Sequence, residues 1–244
     1  MKKIIFWTAL ISVLGLLIGA CAKRDDDTAV TQWTVSCEDM TASGSITIGS
    51  DTASGTYLVL TGNDFYNSRP ATGCNATTDH YGSPTGTQSV LIKKIITSST
   101  SFVDHESYYS DTACTSRLGY IEKKYSNLSV GDTVSGLDNS SGGRPTSGYR
   151  VTYKPECAKI MADTDAAKVT FNTAYASYFH IYPMTTGTEK AFCETWACQV
   201  QTYYSIWGAG DNGTTFSIYQ AMGGSAGYEP SDWDDNTGGM TYQK

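Results

Sequence analysis

Ser225 stands in the segment Gly223–Gly227, which has the spacing G-x-S-x-G. In that spacing a serine on a sharp turn from a strand into a helix can act as a nucleophile, with an acid and a histidine following it in the chain. Pro230 and the Asp-rich segment after it oppose a helix at this place, and no histidine follows Ser225. The sequence therefore favours a glycine-rich turn, and we predict no catalytic residue and no enzymatic activity.

The three histidines, His80, His105 and His180, are scattered along the chain. Of the three, His105 stands between two acidic residues, Asp104 and Glu106. If this segment is a strand, both carboxylates point to the face opposite His105, because successive side chains alternate between the two faces. The sequence therefore predicts no relay of acid, histidine and acid.

Short acidic runs supply oxygen atoms that could bind a cation, at residues 25–27, 163–165 and 232–236. None of them has the spacing of the calcium-binding loop with its terminal glutamate. We interpret them as solvated acids, and the sequence predicts no metal ion and no cofactor.

Seven cysteines occur in the chain, and the first of them, Cys21, stands apart near the amino terminus. An even number of the remaining cysteines in an exported chain predicts disulfides, whereas a zinc site is disfavoured because no Cys-x-x-Cys spacing occurs. Spacing favours only one pair, Cys193 with Cys198, and leaves the other pairings open. The disulfide candidates are Cys37, Cys74, Cys114, Cys157, Cys193 and Cys198.

The amino terminus has the layout of an export signal. Met1-Lys2-Lys3 is followed by an apolar run over 4–18, which is shorter than the roughly 20 residues of a transmembrane helix. Leu17-Ile18-Gly19-Ala20-Cys21 then resembles the lipobox of bacterial lipoproteins. The resemblance implies a signal peptide over 1–20, diacylglycerol and a further acyl chain on Cys21, and a tether over 21–31. It also implies a lipid-anchored protein of the bacterial cell envelope, at the outer membrane. The alternative is an ordinary secreted protein whose signal contains a cysteine.

Composition excludes some classes of function. The formal net charge of the 244 residues is −7 and the isoelectric point is about 4.9, so no basic surface is available for a nucleic acid. Hydrophobic residues make up 40% of the chain and charged residues only 17%, which is typical of an ordered protein.

Alternation of large and polar side chains, clearest in Tyr149–Lys154, predicts an all-β domain over 32–244. The one departure is a short helix between Glu156 and Ala167, where alanines accumulate, and a subdivision near 155–168 is the alternative organisation. We expect the residues from Asp232 onward to fray. The predicted strands are Ser45–Ile48, Thr56–Thr61, Gln88–Thr97, Ser101–Tyr109, Arg117–Tyr125, Tyr149–Lys154, Lys168–Asn172, Ser177–Tyr182, Gln199–Trp207 and Thr214–Gln220.

Two short motifs resemble a known family. Trp33-Thr34-Val35-Ser36-Cys37 and the segment Tyr108–Cys114, which leads into an apolar strand, are similar to the lipocalin-like domain of the "adenomatosis polyposis coli down-regulated" family. The resemblance covers residues 33–155 and implies a β-barrel with an apolar interior. The predicted fold is therefore a single antiparallel lipocalin-like barrel or β-sandwich, with disulfides and one short helix.

These observations support two hypotheses of function. In the first, the barrel binds a small apolar ligand or lipid, although no ligand-binding residue is assigned. In the second, the domain has a filled core and binds a protein or glycan partner. The aromatic residues of the last quarter are candidates for binding a sugar or a lipid. Small inward side chains opposite large ones would indicate the first hypothesis, and uniformly large ones the second. These aromatic residues are Trp196, Tyr203, Tyr204, Trp207 and Trp233.

Overall fold

A computed structural model of the chain describes residues 37–62, 74–76, 82–138, 145–174, 184–192, 201–211, 216–222, 230–233 and 239–244. All of them belong to one compact unit, Val35–Lys244. In these ranges no helix is both long and apolar enough to cross a membrane. The strands are β1 Ser45–Ile48, β2 Asp51–Ser54, β3 Thr56–Gly62, β4 Cys74–Ala76, β5 Ser89–Ile96, β6 Phe102–Tyr109, β7 Arg117–Ser135, β8 Ser147–Ala162, β9 Lys190–Phe192, β10 Tyr203–Asp211, β11 Phe216–Met222 and β12 Gly239–Gln243, and the helix is α1 Asp165–Ala174.

Eight strands form a ring of antiparallel pairs. Along the ring β3, β5, β6, β7, β8, β10, β11 and β12 each pair with the next, and β12 pairs back with β3. The ring is nearly closed, since β3 pairs with β5 only over Thr56–Leu58 and β4 pairs with the other end of β5. Ring closure is the way an up-and-down barrel satisfies its backbone groups. The prediction of an all-β fold is confirmed. Of the two predicted architectures, barrel and β-sandwich, the structure has the barrel.

The side chains of each ring strand alternate between the interior and the outer wall. On β5, Val90 and Ile96 are fully buried in the core, whereas Lys93 is half-buried on the outer face. Because paired residues of adjacent strands share a face, this alternation assigns the interior side chains of every strand in the ring.

Short elements cover both ends of the barrel. The β1–β2 hairpin lies at the end of β5, where the Ser43 backbone N–H donates to the Ile96 carbonyl at 3.2 Å. Its Ile46 and Ile48 are buried in the same apolar core as the strands. At the opposite end, Phe171 of α1 reaches Gly119 of β7, where a Cβ would lie 2.8 Å from the Phe171 ring. Glycine at position 119 therefore leaves the space that the helix side chain fills.

The predicted helix is in the wrong place. Glu156–Ala162 belongs to β8, and the helix begins only at Asp165. The alanines at 158 and 162 are buried interior residues of the strand, since Ile160 between them faces the same side. In consequence the predicted strand Lys168–Asn172 is also wrong, because these residues lie in α1.

The carboxyl terminus does not fray as expected. Residues 239–243 form β12, which pairs with β11 on one side and β3 on the other and so completes the ring. Tyr242 is 2% exposed in the core. The Asp- and Gly-rich composition of the tail misled the prediction, because one buried tyrosine and two paired neighbours outweigh weak local propensity.

Two disulfides tie the barrel together. Cys37 is bonded to Cys157 of β8, and Cys74 of β4 is bonded to Cys114. The prediction of a disulfide-bonded domain is therefore confirmed for these four cysteines, while the favoured pair Cys193 and Cys198 lies outside the described residues.

Asp111 shapes the turn that presents Cys114. Its carboxylate accepts hydrogen bonds from the backbone N–H groups of Ala113, at 2.8 Å, and of Ser116, at 2.6 Å. Such Asx-type bonds stabilise a tight turn, and Cys114 itself has a positive φ of 54°. The motif Tyr108–Cys114 is thus explained as a strand end and a turn that lead into a disulfide.

Candidate functional site

Aromatic rings fill the middle of the barrel interior. Phe102 is fully buried, with ring centroids 4.9 Å from Tyr125, 5.0 Å from Trp207 and 5.1 Å from Tyr153. Tyr153 also stacks on Tyr203 at 5.9 Å. At this level the barrel has the uniformly large inward residues that were expected of a filled core.

Lys94 of β5 lies among these rings. Its ammonium is 4.1 Å from the Phe102 ring centroid, 4.7 Å from that of Tyr242 and 5.1 Å from that of Trp207. Aromatic faces attract a cation through their quadrupole. The side chain is 0% exposed, so an apolar barrel level contains a completely buried cation.

Asp104 of β6 compensates the buried cation. Its Oδ1 atom is 2.5 Å from Lys94 Nζ, and the two residues are directly paired across β5 and β6. Burial lowers the pKa of Lys94, and the Asp104 carboxylate opposes this shift. The carboxylate therefore favours the charged form of Lys94, which burial disfavours.

Asp104 is less enclosed than its partner Lys94. This side chain faces inward yet keeps 27% of its surface accessible, whereas its partner Lys94 keeps none. Two further inward residues are half-buried, Glu106 on β6 and Lys123 on β7, which pairs with Asp104. We call these three inward, half-buried residues, Asp104, Glu106 and Lys123, the charged recess.

Two polar atoms near the buried pair have no hydrogen-bond partner within the described part of the chain. They are Trp207 Nε1 and Gln220 Oε1. The two residues are opposite each other on β10 and β11 and are 0% and 1% exposed. Gln220 also hydrogen-bonds Tyr153, whose pKa is raised by burial and by the Asp104 charge. We call Lys94, Asp104, Tyr153, Trp207 and Gln220 the interior polar cluster.

On the outer wall, His105 links a serine and a carboxylate. Its Nδ1 is 2.7 Å from Glu122 Oε1, and its Nε2 is 2.5 Å from Ser107 Oγ. The order of serine, histidine and acid is that of a nucleophilic triad. However, Ser107 is 1% exposed, which denies a substrate access to its hydroxyl. This arrangement is therefore a hydrogen-bonded support of the wall, and Tyr120 stacks on the His105 ring at 5.7 Å.

Several residues named from the sequence are placed by the structure. Asp104 and Glu106 lie on the face opposite His105, as strand alternation predicts. Trp207 and Trp233 are both 0% exposed, so neither presents a surface for a glycan. Cys21, His80, His180, Trp196 and Ser225 lie outside the described residues.

Sequence reasoning missed the interior polar cluster, although two signals were readable. Val90, Ile92 and Ile96 occupy alternate positions of β5, and Lys94 stands in the same row. A lysine in an apolar row predicts a buried, paired cation. Gln220 had a comparable signal, since Phe216, Ile218 and Met222 occupy alternate positions of β11 and Gln220 stands in their row.

No family model matches the chain, and a search of curated proteins finds no match.

Proposed function

We propose that this domain is a binding barrel, which takes a small ligand with an apolar body and a polar group into its interior. The observation that carries the proposal is the charged recess beside the interior polar cluster. An inward carboxylate with 27% of its surface accessible needs unfilled space next to it. The aromatic faces of Tyr125 and Tyr203, which are half-buried, offer an apolar wall to the same interior.

The polarity of the interior favours this function over a purely structural one. Burying an ion pair and leaving polar atoms unsatisfied both cost folding free energy, and well-packed apolar residues often replace such pairs without loss of stability. A core that only had to be filled would gain nothing from Lys94 and Gln220. A binding site gains orientation and selectivity from the same groups.

The filled aromatic level supports the second hypothesis, a domain that binds a protein or glycan through its outer surface. In that case the interior holds no molecule. A barrel ligand accounts for one more observation, the accessible carboxylate of Asp104, and is therefore the function we propose.

Native mass spectrometry tests the binding function. The full chain is expressed with its own leader in a bacterium with an oxidising envelope, purified as the cell processes it, and compared in its native and denatured states. We expect an additional mass in the native spectrum that disappears on denaturation. A native mass equal to the denatured one, together with no uptake from a panel of envelope lipid extracts, contradicts the binding function.

We further propose that the protein is a lipid-anchored component of a bacterial cell envelope and acts by binding rather than by catalysis. The lipobox-like segment that ends at Cys21 supports the anchor. Several acyl chains on one residue exceed what stable membrane attachment needs, since each buried CH₂ contributes about 0.8 kcal/mol.

Cys21→Ser is the variant that tests the anchor. Without the thiol no diacylglycerol can be attached, so we expect the variant to leave the membrane fraction and to lose labelling by a radioactive fatty acid. Cys74→Ser is the matched control, because it also removes a sulfur but should keep both the label and the membrane association. A Cys21→Ser protein that is still labelled contradicts the anchor.

A further inference from the structure

We infer that the interior ligand has an anionic head group of the carboxylate type, and that Lys123 of β7 binds it. This inference rests on the proposed binding function and specifies its ligand. Lys123 faces the barrel interior, because it stands in the same row of β7 as Ile121 and Tyr125, which pack in the apolar core. It is half-buried, so part of its surface remains accessible.

The described part of the chain does not compensate the charge of Lys123. This lysine makes no ion pair and no hydrogen bond with any residue that the structure describes. Two more enclosed lysines of the same sheet do have partners. Lys94 Nζ is 2.5 Å from Asp104 Oδ1 in the interior. On the outer wall, Lys124 Nζ is 3.1 Å from Glu156 Oε1. An inward cation without such a partner favours an anion supplied by a ligand.

The two inward acids of the charged recess leave this charge available. Asp104 is directly opposite Lys123 on β6, but its carboxylate is bonded to Lys94. Glu106 is in the next row, opposite Ile121, and has an interaction partner of its own. Among the described inward charges, that of Lys123 is therefore the one that a ligand anion can balance.

The surroundings of Lys123 suit a head group joined to an apolar chain. Its neighbour on β8 is Ala158, which is buried and whose side chain ends at Cβ. A small inward side chain beside a large one is the pattern that leaves space inside a barrel. Tyr125 is two residues further along the same face of β7, roughly 7 Å away, and is half-buried. A carboxylate at Lys123 would thus place the apolar chain of the ligand against this ring.

Three compounds of one chain length, decanoate, decanol and decylammonium, test the charge of the head group. Each is titrated at neutral pH into the full chain, purified as the cell processes it, and binding is followed by calorimetry and by native mass spectrometry. We expect decanoate to bind about tenfold more tightly than decanol, because an ammonium bonds a carboxylate more strongly than a neutral hydroxyl. Decylammonium should bind most weakly, since Lys123 repels its charge.

Lys123→Met locates the head group, and Lys93→Met is its matched control. Both substitutions remove the charge of a half-buried lysine, but Lys93 lies on the outer face of β5. Lys123→Met should weaken decanoate binding about tenfold and leave decanol binding unchanged, whereas Lys93→Met should change neither. Lys123→Arg keeps the cation and should retain the preference for decanoate. Circular dichroism of each variant shows whether it folds.

The outcomes separate this inference from the binding function. If decanol binds as tightly as decanoate, or if the preference for decanoate survives Lys123→Met, the inference is overturned while binding stands. Tightest binding of decylammonium overturns it as well, and assigns the head group to the accessible carboxylate of Asp104. If none of the three compounds binds and the purified protein carries no ligand, the binding function itself fails.

Discussion

Asp104→Asn lowers the free energy of unfolding by about 3 kcal/mol, the largest effect expected of any single interior substitution of similar size. The reason is the position of Lys94, which is 0% exposed and has Asp104 Oδ1 at 2.5 Å. Asparagine keeps the shape of the side chain but removes its charge. The ammonium then lies buried among aromatic rings without an anion, and part of the cost is avoided only by releasing its proton.

Lys94→Met provides the contrast. Methionine has a similar length and packs well against aromatic rings, while the remaining Asp104 side chain keeps 27% of its surface accessible. Lys94→Met should therefore lower the free energy of unfolding by about 1 kcal/mol or less, and in the double variant it should restore much of the stability that Asp104→Asn alone loses. Urea unfolding of the three variants and the unmodified protein, followed by circular dichroism, measures these differences.

The stability deficit of Asp104→Asn, which is the difference in free energy of unfolding from the unmodified protein, depends on pH. Burial lowers the pKa of Lys94 in the folded protein, so above that pKa and below the unfolded value of 10.5 the unfolded chain binds a proton that the folded chain does not. Stability therefore rises with pH through this interval. Without the Asp104 charge, the pKa of Lys94 in the folded protein falls further, so the interval extends to lower pH. We expect the deficit to shrink as the pH is raised from about 7 to about 10. A deficit that is constant over this range shows that Lys94 carries no charge in the folded protein.

How much of the fold follows from the sequence is shown by β5 and β12. The strand Gln88–Thr97 was predicted almost to the residue, because an alternating apolar row is a local signal. The residues of β12 carry a weak local signal and form a strand because β3 and β11 offer free edges on both sides. Ring closure is a property of the whole chain, and local composition does not reveal it.

The candidate site was harder to predict than the fold. Lys94 has a readable signal in its apolar row, but its partner Asp104 is one of several acids with no distinguishing pattern. The placement of Trp207 opposite Gln220 depends on the register of β10 against β11. A shift by one residue would turn one of the two outward, so the site exists only once the pairing is fixed.

Removing the disulfide between Cys37 and Cys157 should cost more stability than removing that between Cys74 and Cys114. The first joins residues 120 apart in sequence and the second residues 40 apart. A crosslink restricts the unfolded chain more strongly when it closes a longer loop, which corresponds to about 5 kcal/mol for the first and about 4 kcal/mol for the second. The disulfide between Cys37 and Cys157 also attaches the chain before β1 to β8, which pairs with three other strands, β7, β9 and β10.

Paired substitutions, Cys37→Ala with Cys157→Ala and Cys74→Ala with Cys114→Ala, give the two losses by urea unfolding. Double replacement avoids the free thiol that a single substitution would leave. The two losses should combine in a variant that lacks all four cysteines. Equal losses from the two pairs, or a larger loss from the shorter loop, would show that native packing around the sulfurs outweighs loop length at these sites.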